Sequence, residues 1–135
     1  MEKERPRLEK PREIRRRSFD YSLRAVKLYQ FLQERKPGAG WILGKQYLRA
    51  ATSVGANIEE AQAAETKSDF IHKYGIAQKE ARESHYWLRL LAESGIVPNR
   101  RLTALMKETE ELYAVITAII RNAKGRAGER VRVKG

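Results

Sequence analysis

The chain has 135 residues, no cysteine and a formal net charge of +11. This length permits one domain with a single core, and the absence of cysteine excludes a disulfide scaffold, a thiolate metal site and a cysteine nucleophile. No apolar run approaches the ~18 residues of a membrane span, and the charged start of the chain lacks the apolar segment of a secretory signal, so we expect a cytoplasmic protein with no membrane partner.

Residues 1–17 are predicted to form a basic N-terminal tail, with eight basic and four acidic residues. Pro6 and Pro11 interrupt any long helix and apolar residues are sparse, so we expect little fixed structure before residue 18. The tail ends in a compact basic run of Arg15, Arg16 and Arg17.

The first helix is predicted from about Ser18, a plausible N-cap, to Lys36. The sequence PGAG at residues 37–40 then predicts a turn. Apolar residues along this helix recur at helical spacing, which indicates packing against neighbours. They form one face of Phe19, Leu23 and Val26 and an adjacent stripe of Tyr21, Ala25, Leu28 and Leu32.

The second helix is predicted over residues 41–66. Two glycines, Gly44 and Gly55, interrupt its pattern. Each glycine either weakens the helix, by roughly 1 kcal/mol relative to alanine, or lets a neighbouring helix approach closely. The apolar positions follow steps of four and three residues, at Tyr47, Ala51, Val54, Ile58 and Ala61.

The third helix, predicted over residues 68–93 with Ser68 as its N-cap, is the element around which we expect the others to pack. A heptad pattern runs along it, with small residues in the middle where a partner backbone can come close. Ile76, Trp87 and Leu90 lie off this seam, so the helix needs more than one neighbour. The seam residues are Phe70, Tyr74, Ala77, Ala81, Ser84, Leu88 and Leu91.

The fourth helix is predicted from Pro98 or Asn99 to Ala123, after Gly95, which is typical of a residue just past a helix end. Four helices with short connections predict an all-α protein, an antiparallel up-down-up-down four-helix bundle over residues 18–124. Residues 125–135 are predicted to be a second basic tail.

Most of the excess charge lies in the tails. Residues 1–17 and 124–135 each carry a net charge of +4, against +11 for the whole chain. A basic surplus of this kind favours a polyanionic partner such as a nucleic acid. The alternative is that the tails only keep the protein soluble.

Two segments resemble a known family. Residues 49–61 (RAATSVGANIEEA) are similar to the helix-two signature of the four-helix-bundle proteins first known from intervening sequences in bacterial 23S rRNA genes. Residues 79–91 (KEARESHYWLRLL) are similar to a helix-three pattern in one branch of that family. Ser53, Val54, Asn57, Ile58 and Glu60 match the signature, and Glu59 and Ala61 depart from its usual alanine and glycine.

The resemblance covers about residues 19–124 and implies an up-down four-helix bundle assembled as a ring-like homopentamer. It also implies a relationship to the accessory protein of diversity-generating retroelements, a basic pentamer that binds nucleic acid and a reverse transcriptase. It implies no settled activity. The departures at Glu59 and Ala61 bear on fine packing more than on the fold.

Four polar residues are candidates for a buried structural cluster. Asn57 and Glu60 lie three residues apart beside the helix-two seam, and Glu80 and Ser84 lie four apart on helix three. If the two pairs face each other they would fix the helix register, because buried polar groups need partners. The alternative is that both carboxylates are solvated.

Residues suited to catalysis or metal binding are sparse. Both histidines lie on one helix, and only Asp69-x-x-His72 approaches the Glu-x-x-His pairing of di-iron bundles. No glycine-rich phosphate loop or nucleophile elbow occurs. We therefore expect no metal, no cofactor and no catalytic residue, and an enzyme hypothesis would have to use Glu80 or His85.

The leading hypothesis is a non-enzymatic homo-oligomer, a pentamer by the resemblance, that binds RNA or DNA phosphates. The resemblance implies that the protein would act as an accessory factor to a reverse transcriptase or to an rRNA element. The alternative is a protein-interaction scaffold with solubilising tails. The candidate nucleic-acid contacts are Arg15, Arg16, Arg17, Lys45, Arg49, Arg100, Arg101, Lys124, Arg126 and Arg130.

Overall fold

Apolar residues at heptad spacing form four α-helices in the computed structural model, which describes the backbone of residues 11–134 and the side chains of residues 13–125. No strand occurs in this part of the chain, so the predicted all-α four-helix bundle is confirmed. The helices are α1 (Pro11–Gln33), α2 (Ala39–Gln62), α3 (Lys67–Glu93) and α4 (Asn99–Lys134).

Successive helices pack on each other through short connections, and α4 returns to α1. In each neighbouring pair, residues nearer the C-terminus of one helix contact residues nearer the N-terminus of the other, so the two helices are antiparallel. The contacts at two levels are Arg15–Glu59 and Leu32–Gly44 for α1–α2, Arg49–Glu83 and Gln62–Tyr74 for α2–α3, Gln78–Thr117 and His85–Glu110 for α3–α4, and Arg17–Glu108 and Phe31–Arg101 for α1–α4.

The predicted seam of α3 lies at the centre of the core. Its positions from Tyr74 to Leu91 are buried, and Phe70 at its start is partly buried against the core. Trp87, which lies off the seam, also packs against the core. Because α3 packs on both α2 and α4, the prediction that it needs more than one neighbour is confirmed.

Gly44 and Gly55 lie on the side of α2 that packs against α1. A Cβ atom at Gly55 would lie 3.2 Å from the carbonyl oxygen of Ser18, and one at Gly44 would lie 2.9 Å from Cδ1 of Leu32. Both glycines are buried in a continuous helix. Of the two interpretations of these glycines, the structure supports close helix approach.

The first helix begins at Pro11, so the prediction that it starts at Ser18 is wrong. Pro11 occupies the first turn, where a missing N–H leaves no intrahelical bond unmade. Ile14 is fully buried, and Ser18 lies inside the helix with its Oγ donating to the carbonyl of Arg15 at 3.1 Å. The basic run therefore belongs to the folded domain, and residues 1–10 of the predicted tail lie outside the described part of the chain.

The cap of α3 is Thr66 and not the predicted Ser68. The Oγ1 atom of Thr66 accepts a hydrogen bond from the backbone N–H of Asp69 at 3.0 Å, which satisfies one free donor of the first turn. At the other end, Gly95 has a φ of +80°, as expected for a glycine just past a helix.

The fourth helix continues through Gly125 to Lys134, so the prediction that it ends at Ala123 is wrong. The two glycines inside this part of the helix, Gly125 and Gly128, each cost only about 1 kcal/mol relative to alanine, and the arginine, alanine and glutamate residues around them are adequate helix formers. Helix propagation then adds one backbone hydrogen bond for each residue that is fixed.

A layer of four hydroxyl groups crosses the core, one from each helix. The Tyr21 hydroxyl lies 2.6 Å from Oγ1 of Thr109, and the rings of Tyr21 and Tyr47 meet edge to face at 6.3 Å. Ser84 is fully buried, with its hydroxyl bonded to the carbonyl of Glu80 at 2.8 Å. The Tyr47 hydroxyl is buried close to Tyr21 but forms no hydrogen bond with any described residue.

The predicted polar cluster does not form among the described residues. Asn57 donates to the carbonyl and hydroxyl of Ser53 on its own helix, and Ser84 donates to the carbonyl of Glu80 on its own helix. Glu60 is exposed. Glu80 pairs instead with Arg49 of α2 at 3.4 Å, and Asn57 and Glu60 lie two or more helical turns further along α2.

Candidate nucleic-acid interface

Two arginines of the predicted N-terminal basic run form surface ion pairs on or beside α1. Arg15 pairs with Glu59 of α2 at 3.1 Å, and Arg16 pairs with Asp20 one turn away at 2.7 Å. All four side chains are about half exposed or more, so each pair contributes little to stability. A phosphate would have to compete with a carboxylate for each of these guanidinium groups.

Two further predicted cations each bridge to another helix through a pair of carboxylates. The Arg17 side chain is about a quarter exposed and joins α1 to α4, and Arg49 joins α2 to α3. Both act as links between helices rather than as free cations. The partners are Glu108 (2.9 Å) and Glu111 (3.1 Å) for Arg17, and Glu80 (3.4 Å) and Glu83 for Arg49.

Four other predicted cations form no ion pair with a described residue: Lys45, Arg100, Arg101 and Lys124. The Lys45 ammonium lies 4.2 Å from the ring centre of Trp41, and the Arg101 guanidinium lies 4.5 Å from that of Phe31. These contacts fix a cation without neutralising it. Two more predicted cations, Arg126 and Arg130, lie outside the described side chains.

A cleft lies between α1 and α4, and it brings the contact of Phe31 with Arg101 together with further basic side chains. These two helices touch far less than the other neighbouring pairs, which leaves a cavity of about 210 Å³. No carboxylate lines it. Its walls, which define the α1–α4 cleft, are Arg24, Lys27, Leu28, Phe31, Arg101 and Leu105.

Sequence reasoning missed Arg24, Lys27 and Arg35 as members of this surface. They are spaced with Phe31 at steps of three, four and four, so Arg24 and Lys27 on α1 and Arg35 in the turn after it lie on the same side as an aromatic ring. Plotting the basic residues on the helical period would have revealed that face. It could not have revealed Arg101 beside it, because that contact depends on how α4 packs.

Trp41 adds a second cation–aromatic contact near the start of α2. Lys36 and Lys45 lie 5.6 Å and 4.2 Å from its ring centre, and its indole N–H donates to the Tyr29 hydroxyl at 3.1 Å. Phe31, on the last turns of α1, and Trp41, on the first turn of α2, lie on either side of the short α1–α2 connection. The cations around them therefore gather at one end of the bundle.

A second cavity, of about 270 Å³, lies between α3 and α4 and includes His85. His85 Nε2 lies 2.9 Å from a carboxylate oxygen of Glu110, and Arg82 donates to the Tyr113 hydroxyl at 3.2 Å. These polar groups are paired with each other across the two helices. Nothing in this arrangement presents a nucleophile beside a base.

The described residues contain no cluster of three or more histidine, aspartate or glutamate side chains able to hold a metal ion. His72, in the near-match to a di-iron motif, is exposed on α3. None of the described helices combines the length and the apolarity needed to cross a bilayer.

Apolar side chains are exposed on two sides of the bundle. α1 buries the stripe that contains Tyr21 and leaves its other predicted face in solvent. The exposed face consists of Phe19 (52% exposed), Leu23 (45%) and Val26 (38%). We call this exposed face the α1 stripe. On another side, Ile42 of α2 (54%) and Tyr86 of α3 (52%) are exposed.

Comparison with known proteins places the fold. The model of a family described as 23S rRNA-intervening sequence protein matches residues 10–118 of this chain. A crystal structure of a protein of unknown function from the S23 ribosomal protein family of Bacteroides thetaiotaomicron VPI-5482 is similar, with 36% identity, 82% of this chain and 97% of that chain covered, and a TM-score of 0.76. No curated protein matches the chain.

Proposed function

The chain belongs to the 23S rRNA-intervening sequence protein family, and we propose that it is a non-enzymatic, homo-oligomeric bundle that binds RNA or DNA through phosphate contacts. The observation that carries the proposal is the gathering of cations without carboxylate partners at one end of the bundle. Lys45 and Arg101 at that end, and Arg24 and Lys27 along the adjoining cleft, form no ion pair with a described residue. Cations of this kind are available to phosphate oxygens.

Binding of this type depends weakly on base sequence. Phosphate contacts fix position without reading bases, and side chains on the faces of a compact bundle supply few base-edge contacts. The strength of binding should fall steeply with salt, because each neutralised phosphate releases a counterion. The slope of log K against log salt is about 0.7 to 0.9 for each phosphate contacted.

The test compares the whole chain with a chain trimmed to residues 11–125, since α1 begins at Pro11. Each is titrated with single-stranded and double-stranded RNA and DNA across a salt series. We expect both to bind, with a smaller salt slope after trimming because basic residues at both ends are removed. If neither chain binds near physiological salt, the proposal fails.

Self-association is supported by the exposed apolar residues. The α1 stripe lies beside α2, where Phe19 borders a groove with Thr52 and Ala56. Ile42 lies seven residues before Arg49, about two helical turns, so both lie on the same face of α2. Because Arg49 faces α3, the second exposed patch is on another side of α2 from the α1 stripe. Two different patches favour a head-to-tail contact, which forms a ring when the rotation between successive copies closes. The pentamer implied by the family resemblance is such a ring.

A second candidate function is a protein-interaction scaffold, favoured by the exposure of Ile42 and Tyr86 on α2 and α3. The resemblance to the retroelement accessory protein makes a reverse transcriptase the first protein partner to test. A protein that purifies free of nucleic acid, fails the salt titration and retains a protein partner at high salt would favour the scaffold. Co-purification with nucleic acid would favour the leading proposal.

A further inference from the structure

The α1–α4 cleft is open because of where the two helices are held together. Further toward the N-terminus of α1, Arg17 pairs with Glu108 at 2.9 Å, and Tyr21 meets Thr109 at 2.6 Å in the core. Further toward the C-terminus of α1, Phe31 contacts Arg101 of α4. Between these levels the side chains of Leu28 and Leu105 line the cavity together with the cations.

The cations of the cleft are uncompensated. Arg24 and Lys27 are exposed on one wall and Arg101 on the other, and none of the three forms an ion pair with a described residue. The nearest ion pair on α1, Arg16 with Asp20, ends one turn before Arg24, and the Arg17–Glu108 pair lies nearly two turns before it. A ligand that enters the cleft therefore meets positive charge on both sides.

Phe31 orients the guanidinium groups at the edge of the cleft. Arg101 and Arg35 lie 4.5 Å and 4.1 Å from its ring centre, close enough to stack on it. Arg35 also donates to the carbonyl of Phe31 at 3.3 Å. A guanidinium held against a ring keeps its N–H edge directed outward, which suits the paired oxygens of a phosphate. The ring is occupied by these cations and is not open to stack a base.

From this arrangement we infer that the α1–α4 cleft binds the phosphodiester backbone of a single-stranded nucleic acid, independently of base identity. The inference rests on the proposed function. A cationic groove that follows the backbone is the usual feature of single-strand binders. Duplex readers instead present a projecting helix or ribbon to a groove of the DNA, and the cleft cations line a concavity.

The test uses the full chain and a fluorescent oligo-uridylate strand, with a mixed-sequence RNA duplex for comparison. The cleft variant is Arg24→Gln/Lys27→Gln. The matched control is Lys79→Gln/Arg121→Gln, which removes the same charge from exposed residues of α3 and α4 that also form no ion pair with a described residue. Binding is measured by anisotropy across a salt series.

We expect the cleft variant to bind the strand more weakly and to lower the salt slope by about 0.7 for each phosphate that it can no longer neutralise. The control should keep nearly the native slope, and duplex binding should change less than strand binding. Equal reductions in both variants would overturn the inference, because the cations would then act only as diffuse charge. Equal reductions for strand and duplex would overturn the single-strand assignment.

These outcomes separate the inference from the proposed function. If the native chain binds the strand and the cleft variant binds equally well, the cleft is not the site and nucleic-acid binding stands. If the native chain binds neither probe, the proposed function itself fails.

Phe31→Leu provides a check that leaves the net charge unchanged. This variant should bind the strand more weakly while circular dichroism shows that the helices are retained. An unchanged affinity would contradict the orienting role of the Phe31 ring.

Discussion

At the scale of single residues, Tyr21 and Tyr47 lie side by side in the core with unequal hydrogen bonding. The Tyr21 hydroxyl bonds to Thr109, whereas that of Tyr47 has no partner among the described residues. Removing a bonded hydroxyl costs roughly 1 kcal/mol, while removing an unpaired buried one is nearly neutral. We therefore expect Tyr21→Phe to lower the free energy of unfolding in urea by about 1 kcal/mol and Tyr47→Phe to leave it nearly unchanged.

A cost for Tyr47→Phe as large as that for Tyr21→Phe would contradict this and point to a buried water bonded to Tyr47.

The same variant tests how the Tyr47 hydroxyl makes stability depend on pH. Burial raises the pKa of Tyr47 well above its usual value, so the folded chain keeps a proton that the unfolded chain releases above pH ~10. Stability from this group is complete below that pH and is lost above it, so Tyr47→Phe should flatten the fall in alkaline solution.

At the scale of helices, two glycines in similar helical settings should respond oppositely to alanine. A Cβ at Gly75 of α3 would meet nothing within 4 Å, while one at Gly55 would lie 3.2 Å from the Ser18 carbonyl oxygen. Gly75→Ala should raise the free energy of unfolding by up to about 1 kcal/mol through helix propensity alone. Gly55→Ala should lower it, because α1 must move away from α2.

Urea denaturation of both variants measures the difference, and thermal unfolding provides a check. Stabilisation of equal size in both would mean that α1 and α2 have room to adjust, so that Gly55 is not required for close approach. Destabilisation by Gly75→Ala would mean that this face of α3 is covered in the assembled protein.

The helices themselves were largely predictable, and their ends were not. Heptad steps identified the seam of α3 because core packing needs that period. Ser18 was misassigned as a cap since a serine before an apolar run looks the same at a helix start and inside a helix, where it can bond back to a carbonyl. The start at Pro11 depended on burial of Ile14 against other helices, which local sequence does not encode.

At the scale of the whole molecule, the α1 stripe predicts self-association. Leu23 is 45% exposed in the single chain, so Leu23→Glu should leave the helices intact and reduce the mass of the assembly. A buried carboxylate without a partner is strongly unfavourable at an interface. Sedimentation or light scattering gives the mass, and Ala114→Glu, at an exposed position on α4, is the matched control.

If the native chain sediments as a monomer, the α1 stripe is not an interface between copies. Loss of assembly in the control as well as in Leu23→Glu would mean that added negative charge, and not the stripe, is responsible.

Only part of the candidate site can be predicted from the sequence. Lys45, Arg100 and Arg101 could be chosen from charge and position, but sequence gave equal weight to Arg17 and Arg49, which the fold uses to join helices. Whether an arginine meets a carboxylate on another helix depends on the packing of that helix. The cleft is a property of the α1–α4 pair and exists in neither helix alone.

The light packing of α1 on α4 has a thermodynamic consequence. A pair of helices that touch each other so little opens locally more readily than the rest of the bundle, and amide hydrogen exchange there is governed by that opening. A strand that touches both walls binds only the closed form. By linkage, at a hundredfold excess over its Kd the strand would hold the pair shut by about 2.7 kcal/mol, so the ligand would add to the few contacts that join α1 to α4 within the chain.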